Sequence, residues 1–266
     1  MRSGSKSRTR NPRPPSAFGQ HVVAAGRGFA DAAIALLLAP ACAACAQCLV
    51  HPTRGPVCDA CWAAIPAISP PLCDTCGDPL PSWRQIGSSI GQCKRCRDRE
   101  GRVLRARAIG GYEGSLRAIV HALKYDGRRS LAPRLAQLLA RSGSELVEGA
   151  DVAVPVPLHP ARQRTRGFNQ AEDLARGLPL PVMHALERIR RTPSQTDLPE
   201  AQRFDNVRAA FAIARRANVG GAIVVLVDDV STTGATLEAC ARVLLEAGAR
   251  EVRALTAARV VSRRPR

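Results

Sequence analysis

The chain has 266 residues, enough for one or two domains with a sizeable core. The formal net charge is +17, but Arg outnumbers Lys 36 to 3, as an Ala- and Arg-rich coding bias would produce, so charge alone is weak support for a nucleic-acid-binding protein. Aromatic residues make up only 3% of the chain, and no stretch approaches the roughly 20 apolar residues of a membrane-spanning helix, which excludes a membrane span.

Residues 1–16 are predicted to be a disordered basic tail, because the first thirteen carry five positive charges, no acid, and Gly, Ser and Pro throughout. Residues 17–40 are predicted to hold one helix, with apolar residues at helical spacing from Val22 to Leu37. We expect this stripe to pack on the protein rather than on a membrane, since its polar face is not rich in Lys or Arg. The apolar run 32–39 is too short for a secretory signal, so a cytoplasmic location is expected.

Nine of the ten cysteines lie in the segment 41–99, where four C-x-x-C pairs predict two tetrahedral zinc sites. Reduced cytoplasmic thiols favour zinc over the alternative, a disulfide framework. The loops between the pairs are 12, 11 and 16 residues long, which fits consecutive zinc ribbons and leaves a cross-braced pairing open. The predicted metal ligands are Cys42, Cys45, Cys58, Cys61, Cys73, Cys76, Cys93 and Cys96.

The first pair is a choice, because Cys45 and Cys48 also form a C-x-x-C pair. Cys42 with Cys45 is preferred because the small Ala46 follows, where a zinc knuckle needs a tight turn. His51 is a possible substitute ligand, but thiols are in surplus and we interpret it as a loop residue.

Residues 105–262 alternate strands with helices, which predicts an α/β domain with a parallel sheet and helices on both faces. Ser115 is predicted to cap its helix, and Cys240 to face the core. Strands are predicted at 106–112, 151–156, 222–227 and 251–257, and helices at 115–125, 131–141, 169–178 and 235–247.

Two cationic segments are candidate contacts for a pyrophosphate group. Lys124, the only Lys after the cysteine module, lies at a predicted helix end, where an ordinary helix-terminal charge is the alternative. Arg164 and Arg166 lie in R-x-R-G-F-N-Q, predicted to be an extended loop whose alternate arginines face one side and close over the group. A solvated charge run is the alternative there.

The segment from Val224 to Thr236 reads as a buried strand, an acidic pair and a hydroxyl-rich turn that opens a helix. Open α/β sheets bind ligands at this carboxyl edge, where the turn would hold a phosphate and the carboxylates a pair of ribose hydroxyls. The predicted ligand-binding residues are Asp228, Asp229, Ser231, Thr232, Thr233, Gly234, Ala235 and Thr236.

This segment resembles the phosphoribosyl-pyrophosphate (PRPP) motif of type I phosphoribosyltransferases, which fixes an apolar run, an acidic pair and a T-G-x-T turn in one order. Ser231 departs from the pattern, since the family usually has an aliphatic residue there. Strands that end in Asp-Asp also open response-regulator domains, and other acidic pairs are merely solvated.

Further motifs extend the resemblance. Four motifs follow the C-x-x-C module: R-x-R-G-F-N-Q, the T-x-x-Q-T-x-L segment from Thr192 to Leu198, the R-x-x-N-V segment from Arg203 to Val207, and the PRPP motif. Together with the module they resemble the ComF family over roughly residues 41–260. That resemblance implies a double zinc ribbon, a type I phosphoribosyltransferase-like domain and a role in natural transformation.

The first functional hypothesis is a PRPP-binding protein that uses Mg²⁺ and assists DNA uptake beside other competence proteins. In a transferase reaction, Lys124, Arg164 and Arg166 would stabilise the departing pyrophosphate of an oxocarbenium-like state. The sequence shows no obvious general base for an acceptor. The alternative is a non-catalytic accessory protein that binds single-stranded DNA, with Trp62, Trp83 and Phe168 as the few stacking candidates.

Overall fold

The computed structural model describes residues 17–80, 91–98, 101–190 and 209–261, with side chains described from residue 28 onward. The predictions for the basic tail, for Trp83 and for the motifs between residues 192 and 207 lie outside these residues. The helices are α1 (Ala17–Leu38), α2 (Asp59–Ala63), α3 (Lys94–Arg97), α4 (Gly114–Tyr125), α5 (Ala132–Ser142), α6 (Ser144–Val147), α7 (Pro160–Arg166), α8 (Gln170–Ala175) and α9 (Ala235–Glu246). The strands are β1 (Arg105–Gly111), β2 (Val152–Pro155), β3 (Leu186–Arg188), β4 (Phe211–Ile213), β5 (Ile223–Ser231) and β6 (Glu251–Arg259).

The main sheet has four parallel strands in the order β1-β6-β5-β2, which confirms the predicted parallel sheet. Strand β5 is an interior strand, and its run Val224–Val227 is completely buried. Parallel strands covered on both faces need such continuous apolar runs. The carboxyl ends of β5, β6, β1 and β2 lie at one edge of the sheet, where the predicted ligand-binding turn begins.

The two faces of the sheet bury two separate cores. Val225 and Val227 pack with helices α4, α5 and α8, whereas Val224 and Leu226 pack with α9. The prediction of helices on both faces is therefore confirmed. Cys240 of α9 is fully buried in the second core, as predicted, and burial raises the pKa of its thiol well above the ordinary value.

A short antiparallel pair, β3 with β4, was not predicted from the sequence. Its buried residues Leu186 and Phe211 extend the second core beside α9. Three-residue strands carry too little alternation for periodicity to detect them.

Two local predictions are wrong. Helix α4 begins at Gly114, so Ser115 lies inside its first turn and its buried hydroxyl has no hydrogen-bond partner, instead of capping the helix. The segment that contains Arg164 and Arg166 is not an extended loop, because Pro160–Arg166 forms helix α7. Proline at the first helical position and Gly167 at the end, with φ of +80°, are standard helix boundaries.

Helix α1 is helical as predicted, but the expected apolar stripe is not what anchors its described part. Phe29 is 80% exposed and Leu36 is 86% exposed. The buried Asp31 makes the contact instead, accepting hydrogen bonds from the Thr53 backbone N–H at 2.8 Å and lying 3.3 Å from His51 Nδ1. Within the residues described, no helix combines the length and the apolar character that crossing a bilayer requires.

Candidate functional site

Eight cysteines form two groups of four in the part of the chain that the structure describes. Cys42, Cys45, Cys58 and Cys61 form one group, and Cys73, Cys76, Cys93 and Cys96 form the other; within each group all sulfur atoms lie within 4.8 Å of one another. The pairing is thus sequential rather than cross-braced.

The donor set fits zinc. A tetrahedral site with Zn–S bonds of ~2.3 Å places its sulfurs about 3.8 Å apart. The Sγ–Sγ distance is 3.9 Å for Cys42 with Cys61 and 3.7 Å for Cys76 with Cys93. The Cys42 sulfur accepts hydrogen bonds from the backbone N–H groups of Ala44 and Cys58, each at 3.4 Å, which favour the thiolate that zinc binds. Two structural zinc ions fit these groups.

Cys48 lies outside the first group and is exposed. Ala46, which follows the second ligand, adopts the left-handed conformation with φ of +61°, and Gly77 follows Cys76 with φ of +72°. The tight turn that favoured Cys42 with Cys45 is therefore present in both ribbons. His51 also lies outside the group and faces Asp31.

A cleft of about 690 Å³ opens at the carboxyl edge of the sheet. It is lined by Asp228 and Asp229 of β5, by Lys124 and Tyr125 at the end of α4, and by residues that follow β2. Strand β5 continues through the acidic pair to Ser231, so the strand itself fixes the direction of both carboxylates. This is the edge where open α/β sheets bind ligands.

Lys124 contacts the acidic pair directly. Its Nζ lies 2.9 Å from each carboxylate oxygen of Asp229, which is 8% exposed. Burial lowers the pKa of the Lys124 ammonium, and the charge of Asp229 more than offsets it, so the pKa is raised and the lysine stays charged. A ligand that uses Asp229 and Lys124 separately must exchange this ion pair for its own hydroxyls and phosphates.

Asp228 lies next to this ion pair, and the pKa of its carboxyl is raised. Burial and the neighbouring charge of Asp229 raise the pKa of its carboxyl to about 7, although Lys124 acts in the opposite direction. Its Oδ1 accepts a hydrogen bond from the Asp229 backbone N–H at 2.8 Å. Carboxylate oxygens at the mouth of a cleft are ligands that Mg²⁺ accepts together with phosphate oxygens, so this donor set fits the implied cation.

The helical form of α7 changes which arginines share a face. Arg162 and Arg166 are four residues apart and both line the cleft. Arg164, between them, points about 200° away around the helix from each neighbour. It is exposed and does not line the cleft, so of the two arginines predicted to meet a pyrophosphate the structure brings only Arg166 there.

The G-F-N-Q motif after α7 has a structural explanation. Asn169 caps α8 by accepting the Ala171 N–H and donates to the Val156 carbonyl at 3.0 Å. The buried Gln170 accepts a hydrogen bond from Arg166 at 3.0 Å. The Phe168 ring packs under the Arg129 guanidinium, 5.3 Å away. The motif therefore fixes the end of α7 and the direction of Arg166.

The turn after β5 contributes to two cavities. Thr232 and Thr236 line the cleft, while Ser231, Thr233 and Gly234 line a second cavity of about 440 Å³ on the other side. Ala235 is buried and begins α9, and Gly234 precedes it with φ of +82°, a conformation that favours glycine. The N-terminus of the 12-residue α9 thus faces the turn, as predicted.

Arg188, which was not predicted as a site residue, lies at the end of β3 and also lines the cleft. Burial, and next the positive charge of Arg162, lower the pKa of its guanidinium. Two positive charges that line the same cleft favour the binding of an anion there. Arg188 lies outside any recognisable motif, and only the unpredicted β3–β4 pair brings it there.

Together these features define a class of protein: a double zinc ribbon followed by a phosphoribosyltransferase-like α/β domain. Residues 33–98 match the model of the double zinc ribbon domain, and residues 164–266 match that of the phosphoribosyl transferase domain. The chain belongs to the ComF family.

The relatives cover most of their own length in these matches. Competence protein F of Haemophilus influenzae is 30% identical over 76% of this chain and 90% of its own. DNA utilization protein YhgH of Salmonella typhi is 33% identical over 68% and 81%, and competence protein ComFC of Bacillus subtilis is 29% identical over 72% and 79%. Among solved structures, the allosteric regulatory enzyme of purine biosynthesis matches 48% of this chain and 25% of its own at 29% identity, with a TM-score of 0.33.

Proposed function

We propose that this protein binds PRPP or a related sugar phosphate together with Mg²⁺ and assists the handling of DNA taken up in natural transformation. The observation that carries the sugar-phosphate part is the acidic pair at the end of β5, which faces a cleft between the Ser231–Thr236 turn and the cations of α4 and α7. The names of the relatives, which refer to competence and DNA utilization, support the biological part.

Each group has a role in this proposal. The turn and the N-terminus of α9 hold the 5′-phosphate through backbone N–H groups and the hydroxyls of Thr232 and Thr236. Asp228 and Asp229 accept hydrogen bonds from the ribose hydroxyls and supply oxygen ligands toward Mg²⁺, whose chemistry is to neutralise pyrophosphate charge. Lys124 and Arg166, with Arg162 and Arg188, bind the pyrophosphate.

Two features favour a sugar phosphate over a purely nucleic-acid-binding cleft. A surface that only contacts phosphates gains nothing from two carboxylates, because they repel the phosphate backbone. The cleft is also a concave pocket of the size that small ligands occupy, whereas exposed aromatic platforms within the described part of the cleft wall are limited to Tyr125, at 60% exposed.

The test is a calorimetric titration of the zinc-loaded protein with PRPP and Mg²⁺, run beside a titration with a single-stranded oligonucleotide. We expect saturable PRPP binding that weakens when Mg²⁺ is omitted. The absence of PRPP heat together with tight oligonucleotide binding would overturn the sugar-phosphate assignment in favour of the DNA-binding alternative.

A further inference from the structure

The first knuckles of the two ribbons, 42–47 and 73–78, have the same backbone design, offset by 31 residues. In the first, the Cys42 N–H donates to the Gln47 carbonyl at 2.8 Å and the Ala46 N–H to the Cys42 carbonyl at 2.9 Å. In the second, the Cys73 N–H donates to the Asp78 carbonyl at 2.7 Å and the Gly77 N–H to the Cys73 carbonyl at 2.9 Å. Each position of one first knuckle therefore has a counterpart in the other, and the differences between them are informative.

The ribbons differ where they meet the rest of the chain. The first presents the exposed Gln47 at the position where the second has the buried Asp78. It docks through Trp62, whose ring packs against the Arg134 guanidinium of α5 at 4.5 Å, and thus on the face of the sheet that carries α4 and α5. The second ribbon docks at the carboxyl end of β6.

Asp78 joins the second ribbon to the sheet. Its carboxylate accepts a hydrogen bond from Arg95 of α3 at 3.0 Å and another from Arg259, the last residue of β6. Arg259 is 3% exposed, so the pair is almost completely shielded from water. Removing one partner of a buried ion pair leaves an uncompensated charge, which costs much more than a surface pair is worth.

The turn Ser231–Thr236, called here the sugar-phosphate turn, lies one strand away from Arg259. Arg259 is the register partner of Ser231, where the turn begins, and the Val260 N–H donates to the Ser231 carbonyl at 2.9 Å. A second link reaches the other end of the turn, because Glu238 in the first turn of α9 accepts the Arg102 N–H at 2.6 Å and the Val103 N–H at 3.4 Å.

Between these two links the interface is open. The cavity of about 440 Å³ separates Thr75 and Cys76 of the ribbon from Ser231, Thr233 and Gly234 of the turn. The turn is therefore supported from this side by a few polar links rather than by a continuous packed core. A displacement of the ribbon can therefore pass to the two ends of the turn through these links.

We propose that the second zinc ribbon positions the sugar-phosphate turn, with Asp78 and Arg259 as its positioning residues. Loss of the zinc ion of the second ribbon therefore weakens sugar-phosphate binding, whereas loss of the zinc ion of the first ribbon does not. The affinity part of this inference rests on the proposed function. The coupling between the second zinc and the mobility of the turn is independent of the proposed function.

The first experiment compares Asp78→Asn with its counterpart control Gln47→Ala in the full chain. Hydrogen exchange of peptides covering residues 231–236, measured without ligand, should rise about tenfold or more in Asp78→Asn and stay within about twofold in Gln47→Ala. PRPP affinity with Mg²⁺ should fall about tenfold in the first variant only. Arg259→Met should behave like Asp78→Asn, and Arg259→Lys should restore part of the protection, which a role in packing alone would not give.

The second experiment removes one zinc at a time with Cys96→Ser and its counterpart Cys61→Ser. Each variant should lose about one zinc per chain, and only Cys96→Ser should raise exchange in residues 231–236. Equal exchange in the two variants, or protection unchanged in Asp78→Asn, would overturn the coupling. If Asp78→Asn does not fold, Glu238→Gln, which weakens the second link alone, gives the same readout. A parent protein that binds no PRPP would overturn the proposed function, while the exchange comparison would still decide the coupling.

Discussion

At the scale of single residues, the two carboxylates at the end of β5 differ in their contact with Lys124 of α4. Asp229 forms an ion pair with Lys124 at 2.9 Å, whereas the pKa of Asp228 is raised to about 7 by burial and by Asp229. Two carboxylates in one site are thus divided into a paired and an unpaired member, as like charges at short range require. The two neighbouring carboxylates are therefore not equivalent: one forms an ion pair with Lys124, and the charge of the other depends on pH near neutrality.

The double replacement Asp228→Asn with Asp229→Asn is expected to weaken PRPP binding while the fold remains intact. Each Asn matches Asp in size but lacks the negative charge that strengthens hydrogen bonds to ribose hydroxyls, a loss of ~1.5–3 kcal/mol per bond. Oligonucleotide binding should stay equal or tighten slightly, because repulsion of phosphates is removed. Calorimetry with both ligands provides the measurement, and a folded double variant with unchanged PRPP affinity would contradict the proposed site.

The raised pKa of Asp228 predicts a pH dependence of stability. The unfolded chain releases this proton near pH 4 and the folded protein only near pH 7. The stabilising contribution of the group is therefore full below about pH 4 and is lost as pH rises through about 7. At pH 8 the free energy of unfolding of Asp228→Asn should exceed that of the parent by about 1 kcal/mol or more, which raises its denaturant midpoint. At pH 4 the two midpoints should be nearly equal. A parent that is more stable than the variant at pH 8 would show that the pKa of Asp228 is not raised.

At the scale of secondary-structure elements, helix α7 determines which cations reach the cleft. A strand or extended loop alternates its side chains, so Arg162, Arg164 and Arg166 would share one face. In a helix, Arg162 and Arg166 share a face and Arg164 lies opposite. The sequence pattern was compatible with both, and Pro160 with Gly167 are the signals that favour the helix.

Arg162→Gln and Arg164→Gln form a matched test of this helix. They remove the same charge two residues apart, but only Arg162 lines the cleft. We expect Arg162→Gln to lower PRPP affinity about tenfold, the usual weight of a charge-assisted phosphate contact, and Arg164→Gln to lower it less than about twofold. Equal losses, measured by titration at fixed ionic strength, would indicate an extended segment when ligand is bound.

At the scale of the whole molecule, the two zinc ribbons occupy different positions around one α/β domain. The first contributes Leu49, Val57 and Trp62 to the core beneath α4 and α5, and the second meets the carboxyl end of β6 through Asp78. The metal sites are therefore part of the fold of the larger domain as well as of their own loops.

We predict about two zinc ions per chain in protein purified without chelator. The two tetrads account for eight thiolates, and Cys48 lies outside both, so Cys48→Ala should leave the metal content unchanged. Metal analysis combined with thiol alkylation provides the measurement. Less than one zinc per chain with thiols blocked to alkylation would indicate disulfides instead.

The local and strongly patterned features could be predicted from the amino-acid sequence. The C-x-x-C spacing identified the eight cysteines that form the tetrads, because ligands three residues apart already lie on one knuckle, and Ala46 distinguished Cys45 from Cys48 through the turn it must adopt. The alternation of strands with helices predicted the parallel sheet and its two helical layers, and the continuous apolar run Val224–Val227 predicted a strand covered on both faces.

Tertiary structure alone decided the features that depend on distant partners. Arg188 reaches the cleft because a short β3–β4 pair, too short for periodicity to reveal, packs beside α9. Asp78 and Arg259 are 181 residues apart, and neither belongs to a motif, yet they form a buried link between the second ribbon and the end of β6. Spacing along a chain reports neighbours within a turn or a strand, whereas the charges that share a buried site are brought together by packing across the sheet.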